Sequence, residues 1–236
     1  MRIEVWSDVV CPWCYIGKRH LERALEGFEH HDDVEVVYRS FELDPTAPEV
    51  PVETTVESLA KKFGTDVAGA RELMARADGV AAAAGLEFHH ADAAHGRTVD
   101  AHRLLHLALA QGGSSRQGEL KEALLAAYFT RGESMADHEV LRKVAVDAGL
   151  DPGRVDEVLA ADEYADAVHA DIAQARAYGA NGVPFFVVDE KFAVSGAQPT
   201  EVFSQLLERA WADTHPAIEL VGGVDADACG PDGCAV

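Results

Sequence analysis

The chain has 236 residues, with 20 basic and 41 acidic side chains, a formal net charge of −21 and 48% hydrophobic residues. That length can build a sizeable core and suits one domain or two interleaved ones, and the apolar content is too high for a disordered chain. The acidic excess argues against nucleic acid or an anionic membrane as partner, and four cysteines are too few for a disulfide-stapled scaffold.

Residues 2–7 alternate and carry β-branched and aromatic types, which predicts a strand. The segment DVVCPWC then leads into a helix over 16–28, where Ile16, Leu21, Leu25 and Phe28 recur at helical spacing. A second strand is predicted at 34–41, completing a strand–helix–strand unit of the right-handed crossover type. Residues 44–52 carry three prolines and mark a boundary loop.

Helical patterns follow. Thr54 with Glu57 reads as a capping box and Gly64 as the stop; Asp66 opens an alanine-rich helix that ends near Gly85. Thr98 opens another that stops at Gly112–Gly113, and residues 115–129 and 137–148 continue the series. Asp151 with Pro152 is an N-cap and first-turn pair, and a last helix of this block spans 163–179. Strands return at 184–189 and 191–196, close enough to form a hairpin, and Thr200 is expected to cap the helix after them. No internal repeat is present. From Asp213 onward there is no Lys or Arg, and the tail is expected to be mobile.

No run approaches the ~18 apolar residues of a membrane span. Glu4, Ser7 and Asp8 interrupt the N-terminal segment where a signal peptide needs an apolar stretch. The expected setting is a reducing cytoplasm, in which paired cysteines point to redox or metal chemistry.

Cys11-Pro12-Trp13-Cys14 lies between the first strand and its helix. A thiolate is the attacking species in disulfide exchange, and a helix N-terminus offers free N–H groups and positive dipole density that stabilise it. Pro12 fits the first turn, where its missing N–H costs nothing. With two residues between them, Cys14 can resolve a mixed disulfide formed at Cys11. Cys11 is thus read as the more exposed nucleophile and Cys14 as the resolving thiol. Trp13 carries no charge and Asp8 opposes negative charge nearby, so a moderate thiolate stabilisation is expected. Half of a zinc site, or two buried thiols, are the competing readings.

Gly182-Val183-Pro184 immediately precedes the third strand. Together, SDVVCPWCYIGK (7–18), VDAHRLLHLA (99–108), AYFTRG (127–132) and GVPFFVVDEKFAVSGAQP (182–199) resemble the DsbA-like thioredoxin-fold oxidoreductases, in particular their FrnE-like branch. The resemblance implies an α/β thioredoxin fold, a central mixed sheet flanked by helices, with a large all-helical domain inserted after the second strand. Residues 1–45 and 177–212 would form the thioredoxin part, 46–176 the insertion and 213–236 the tail. It implies a cis-proline at Pro184 facing the cysteine pair, with Pro12, Trp13, Val183 and Pro184 on the substrate side. The helix carrying His102 and Arg103 would line the groove, making both candidate substrate contacts.

The activity expected is thiol–disulfide exchange with a substrate protein or with low-molecular-weight thiols and disulfides. The cysteine pair is itself the redox centre, so no organic cofactor is required and no metal is expected. Two other functions compete: a thiol-dependent small-molecule isomerase or transferase of the same superfamily, and a redox-regulated, chaperone-like binding module. Relatives of the isomerase and transferase type generally carry serine at the nucleophile position, whereas this chain has Cys11.

Cys229 and Cys234 enclose Gly-Pro-Asp-Gly, a turn that can bring their Cα atoms to about 5.5 Å. They are candidates for an auxiliary redox pair exchanging with Cys11 and Cys14, since the tail can span ~70 Å. A local tail disulfide or a weak metal clip are the alternatives. His102 and His106 share a helical face, without the glutamate of a zinc-binding HExxH. His89, His90 and His95 lie in a loop-like stretch and are expected to be solvated.

Overall fold

The computed structural model describes residues 1–216. Strand β1 (Arg2–Ser7) is followed by helix α1 (Pro12–Glu26) and strand β2 (Glu35–Ser40), and β1 and β2 pair in parallel, as a crossover unit requires. Strand β3 (Phe185–Val188) pairs antiparallel with β1, and β4 (Phe192–Ser195) antiparallel with β3, giving the order β2-β1-β3-β4. This is the mixed thioredoxin-type sheet. Ile3 to Ser7 are all buried, not every second residue, because β1 is central and covered on both faces.

Between β2 and β3 the chain is helical: α2 (Thr55–Phe63), α3 (Val67–Ala83), α4 (Val99–Phe129), α5 (His138–Asp147), α6 (Pro152–Ala160) and α7 (Ala165–Ala177). Local signals set their ends. Thr54 and Glu57 form the reciprocal capping box, Gly64 closes α2 at φ 64°, and Asp66 and Asp151 accept first-turn N–H groups. Helix α4 is two limbs joined where Gly112 and Gly113 leave helical geometry, Gly113 at φ 68°. The last helix, α8 (Thr200–Thr214), begins one residue earlier than expected. Pro199 is its N-cap and Thr200 already lies in the first turn, with no side-chain cap. It also continues two residues beyond 212, to Thr214.

One face of the sheet packs Ile3, Val5, Phe186 and Val188 against Leu21 of α1 and Phe203 and Leu207 of α8. The other packs Trp6, Phe185 and Val187 against Ala175 of α7. The helical block has its own core around Leu104, Leu107, Leu120, Leu124 and Phe129. Val9, Tyr15 and Ile16, from around the start of α1, are part of that same core. Tyr15 stacks on Phe88, and Phe88 on Phe129, at ring separations of 6.0 and 4.4 Å.

Candidate active site

The C-terminal end of β1 delivers Cys11 to the N-cap of α1, with extended backbone (φ −95°, ψ 115°), and Pro12 takes the first helical position. The N–H of Cys14 donates to the Cys11 carbonyl at 3.0 Å, closing the first turn. Facing the pair is the loop before β3, where the Val183–Pro184 peptide is cis. The Cys11 thiol points at the Val183 carbonyl, Sγ to O 3.6 Å. This loop is held from behind: the Pro184 carbonyl accepts the Gly196 N–H at 2.8 Å. Gly17 of α1 also lies so close that a Cβ there would stand 3.1 Å from Pro184 Cγ.

Both cysteines are free thiols and both are buried, Cys11 at 2% and Cys14 at 3% exposure. Cys11 is therefore not the more exposed of the two. The cis-proline loop covers it, and the distinction between the thiols is electrostatic. Burial, then hydrogen bonding and charge interaction with Cys11, push the Cys14 thiol well above its ordinary value, against the pull of Lys121 and the Asp8 N–H. Cys14 thus tends to keep its proton while Cys11, at the helix N-terminus, occupies the position suited to a thiolate. Pro12 and Val183 are half-buried beside the pair, Pro184 is buried, and Trp13 is 44% exposed at the rim.

Beneath the cysteines lies a buried polar cluster. Asp8 is fully buried; its carboxylate accepts the N–H groups of Val9 and Leu43, each at 2.7 Å, and sits 3.2 Å from His102 Nε2. Burial opposes its charge, but hydrogen bonding and charge from His102, the Leu43 N–H and Lys121 outweigh that and hold the Asp8 carboxyl below its ordinary value. Lys121 donates to the Ser7 carbonyl at 3.3 Å. Burial lowers it to about 8, while the charges of Cys14, Asp8 and Cys11 pull the other way. Ser7 Oγ and His102 Nδ1 are buried here with no hydrogen-bond partner.

Two expected substrate contacts are placed elsewhere. His102 has no exposed surface and reaches Asp8 from behind the site. Arg103 points away, into the helical block. Its guanidinium donates to Asp100 (2.7 Å) and to the carbonyls of Glu163 (2.8 Å), Val158 and Ala161, which fixes the α6–α7 connection. His106 does not converge with His102 on a common centre: its Nε2 lies 3.1 Å from both Ser40 Oγ and Asp171 Oδ2. His90 is not solvated either. It is packed among Tyr128, Phe129 and Phe88, and burial lowers it to about 4. Among the described residues no group of three or more His, Cys, Asp or Glu side chains could hold a metal ion. Cys229 and Cys234 lie outside the described residues.

Sequence reasoning missed Lys121, whose neighbours in ELKEALL read as an ordinary solvated helix. It also missed Glu42, half-buried near Asp8 and His102, whose carboxyl burial raises. A lysine one turn before the apolar Leu124 and Leu125 was the available signal, and it is weak.

The chain is similar to known proteins. A probable DsbA oxidoreductase from Streptomyces coelicolor is 47% identical, with a TM-score of 0.84, over 100% of this chain and 99% of that one. The cytosolic disulfide reductase DsbM from Pseudomonas aeruginosa, with GSH, shares the fold at 16% identity (TM-score 0.62; 89% of this chain and 98% of that one). The uncharacterized protein YwbO of Bacillus subtilis (strain 168) is 25% identical over 219 residues, covering 88% of this chain and 96% of YwbO. Among the described residues no helix is long and apolar enough to cross a membrane. The DSBA-like thioredoxin domain profile matches residues 2–208, and the chain belongs to that family.

Proposed function

We propose that the chain is a thiol–disulfide oxidoreductase that exchanges disulfides with protein or small-molecule thiols through Cys11 and Cys14. The observation that carries this reading is the placement of two free thiols at the first turn of α1, with Cys11 Sγ 3.6 Å from the Val183 carbonyl. In the reducing direction, the Cys11 thiolate attacks a substrate disulfide, one substrate sulfur leaves with the electron pair, and a mixed disulfide remains on Cys11. Cys14 then loses its proton and attacks Cys11 Sγ, the second substrate thiolate departs, and the Cys11–Cys14 disulfide forms. The oxidising direction is the reverse. Pro12, Trp13, Val183 and Pro184 form the surface a substrate meets, and the pair needs no organic cofactor.

A cytoplasmic setting is part of the proposal and rests on cysteine usage, four in 236 residues, two of them in a redox motif. Cys229 and Cys234 are proposed as an auxiliary pair. The test is Cys11→Ser in a disulfide-reduction assay. Loss of turnover supports the reading, and undiminished turnover would overturn it. For the tail, a Cys14→Ala variant analysed by mass spectrometry should trap a Cys11–Cys229 or Cys11–Cys234 bridge; its absence removes the auxiliary role.

A further inference from the structure

Glu4 lies inside β1, among residues that are all buried, and is itself only 6% exposed. A carboxylate is costly there unless cations and hydrogen bonds answer it. Its partner is Arg39 of β2, whose Nε (2.8 Å) and Nη2 (2.5 Å) both donate to Oε1. Oε2 accepts no hydrogen bond among the described residues, and Glu4 lines a cavity of about 470 Å³. The other walls are Arg2, Arg39, Gln174 of α7, and Asp189 and Glu190 of the β3–β4 turn. That volume is in the range of small-molecule sites. The cavity opens at the N-terminal end of β1, whereas the cysteines follow its C-terminal end, Ser7, roughly 17 Å along the strand from Arg2.

Charge in this cavity does not balance. Arg39 is shared between Glu4 and, at 3.4 Å, Asp171; the Arg2 guanidinium meets Glu35 at 3.6 Å. Asp189 and Glu190 form no ion pair among the described residues, and Lys191 beside them is engaged by Asp213 at 2.6 Å. Five carboxylates therefore share two guanidiniums. The unused side-chain atoms are mostly acceptors. They are Glu4 Oε2, the Glu190 carboxylate, Asp189 Oδ2 and Gln174 Oε1. Asp189 Oδ1 already takes the Arg2 N–H at 2.7 Å, and Gln174 Nε2 donates to Tyr178 at 3.1 Å. No group of three or more His, Cys, Asp or Glu among the described residues could hold a metal ion. The complement is a molecule that brings positive charge on several N–H donors, as a guanidinium or ammonium group does.

We infer that this cavity is a second ligand site, separate from the cysteine pair, for a small organic cation bearing a guanidinium or primary ammonium group. Glu4 Oε2 receives the charged head, and Asp189 and Glu190 answer it from the turn. Both turn residues hold left-handed backbone, φ 48° and 55°. Glycine at 190 relieves that backbone and removes a carboxylate, so stability and ligand affinity move in opposite directions there. The site does not depend on the dithiol mechanism.

The test is isothermal titration calorimetry of the full chain with butylguanidinium chloride, and with butylurea as a neutral molecule of the same shape, at constant ionic strength. For the cation one site with a dissociation constant of about 1 mM or tighter is expected, and for the urea binding at least about tenfold weaker. Glu4→Gln should weaken the cation about tenfold or more. Glu190→Gly should weaken it about two- to fivefold while its urea-unfolding midpoint rises. If Glu4→Gln unfolds, Asp189→Asn combined with Glu190→Gln carries the test, with an expected loss of about tenfold.

No heat of binding up to about 10 mM overturns the inference, as does equal binding of butylurea. So does an affinity that every folded variant leaves unchanged, which would mark diffuse attraction to a chain of net charge −21. A blocked Ala-Arg-Ala peptide that binds more tightly than butylguanidinium overturns the assignment to a small molecule.

Discussion

Acid should loosen this protein through one imidazole, His90. The ring is 5% exposed and lies 4.7 Å from Phe129 and 5.5 Å from Tyr128, ring centre to ring centre. Phe129 in turn packs against Phe88 and Tyr15, so the cluster supports the first turns of α1 next to the cysteines. Burial lowers His90 from 6.5 to about 4. The unfolded chain therefore takes up this proton near pH 6.5, and the native chain only near pH 4. The stabilisation is complete above pH 6.5 and is lost as pH falls through about 4. A shift of that size corresponds to roughly 3 kcal/mol.

Carboxylates held low by their partners do not confuse the measurement if it is a difference. Asp8, Asp100 and Glu122 are held below their ordinary values by hydrogen bonds and cations that outweigh burial, and they also shed stability in acid. They are present in both wild type and His90→Phe, a variant that keeps an aromatic ring in the cluster. Urea unfolding of the two proteins at pH 7.5 and pH 4 should show wild type losing roughly 3 kcal/mol more than the variant. Curves that fall in parallel, within about 0.5 kcal/mol, would refute the reasoning.

Three further outcomes are expected. Gly17→Val places a branched side chain where a Cβ already meets Pro184 Cγ at 3.1 Å and Phe186 Cζ at 3.3 Å. It should cost about 1–3 kcal/mol by urea unfolding and cut disulfide turnover by shifting the cis-proline loop; unchanged turnover would show that the loop tolerates displacement. Arg103→Met leaves Asp100 without its closest partner and frees the carbonyls of Val158, Ala161 and Glu163. A stability loss of about 3–5 kcal/mol is expected, with KM unchanged in the folded fraction, because Arg103 faces away from the cysteines. Glu190 sits at φ 55° in the hairpin turn after Asp189 at φ 48°, so Glu190→Gly should raise stability by about 1 kcal/mol, read as a higher urea midpoint.

What the sequence disclosed follows the range of the forces involved. Pro12 in the first turn, the Thr54–Glu57 box and the stop at Gly64 are set by neighbours within four residues, and all are where the pattern puts them. The break at Gly112–Gly113 was equally legible because it is a property of two adjacent glycines. The pairing of Asp8 with His102 joins residues 94 apart, and the Lys121 contact to Ser7 joins residues 114 apart; no local pattern encodes either. Burial of His90 escaped for the same reason. A short HHADAAH stretch looks like solvated loop until the tertiary fold closes Phe129 and Tyr128 over it. The covering of Cys11 likewise depends on a loop 172 residues away.

The two limbs of α4 act on the same strand end from either side of a glycine pair. The first brings His102 to Asp8, and the second brings Lys121 to the Ser7 carbonyl. The helical block is therefore no detachable ornament on a self-sufficient thioredoxin half. A shortened chain closing β2 directly onto β3 would strand the Asp8 carboxylate and bare Val9, Tyr15 and Ile16. Insertions or deletions at Gly112–Gly113 would be felt at the cysteines, because the length of that non-helical link sets where the second limb places Lys121 while His102 stays. In this protein the length of a surface-like helix connection is a chemical parameter of the active site.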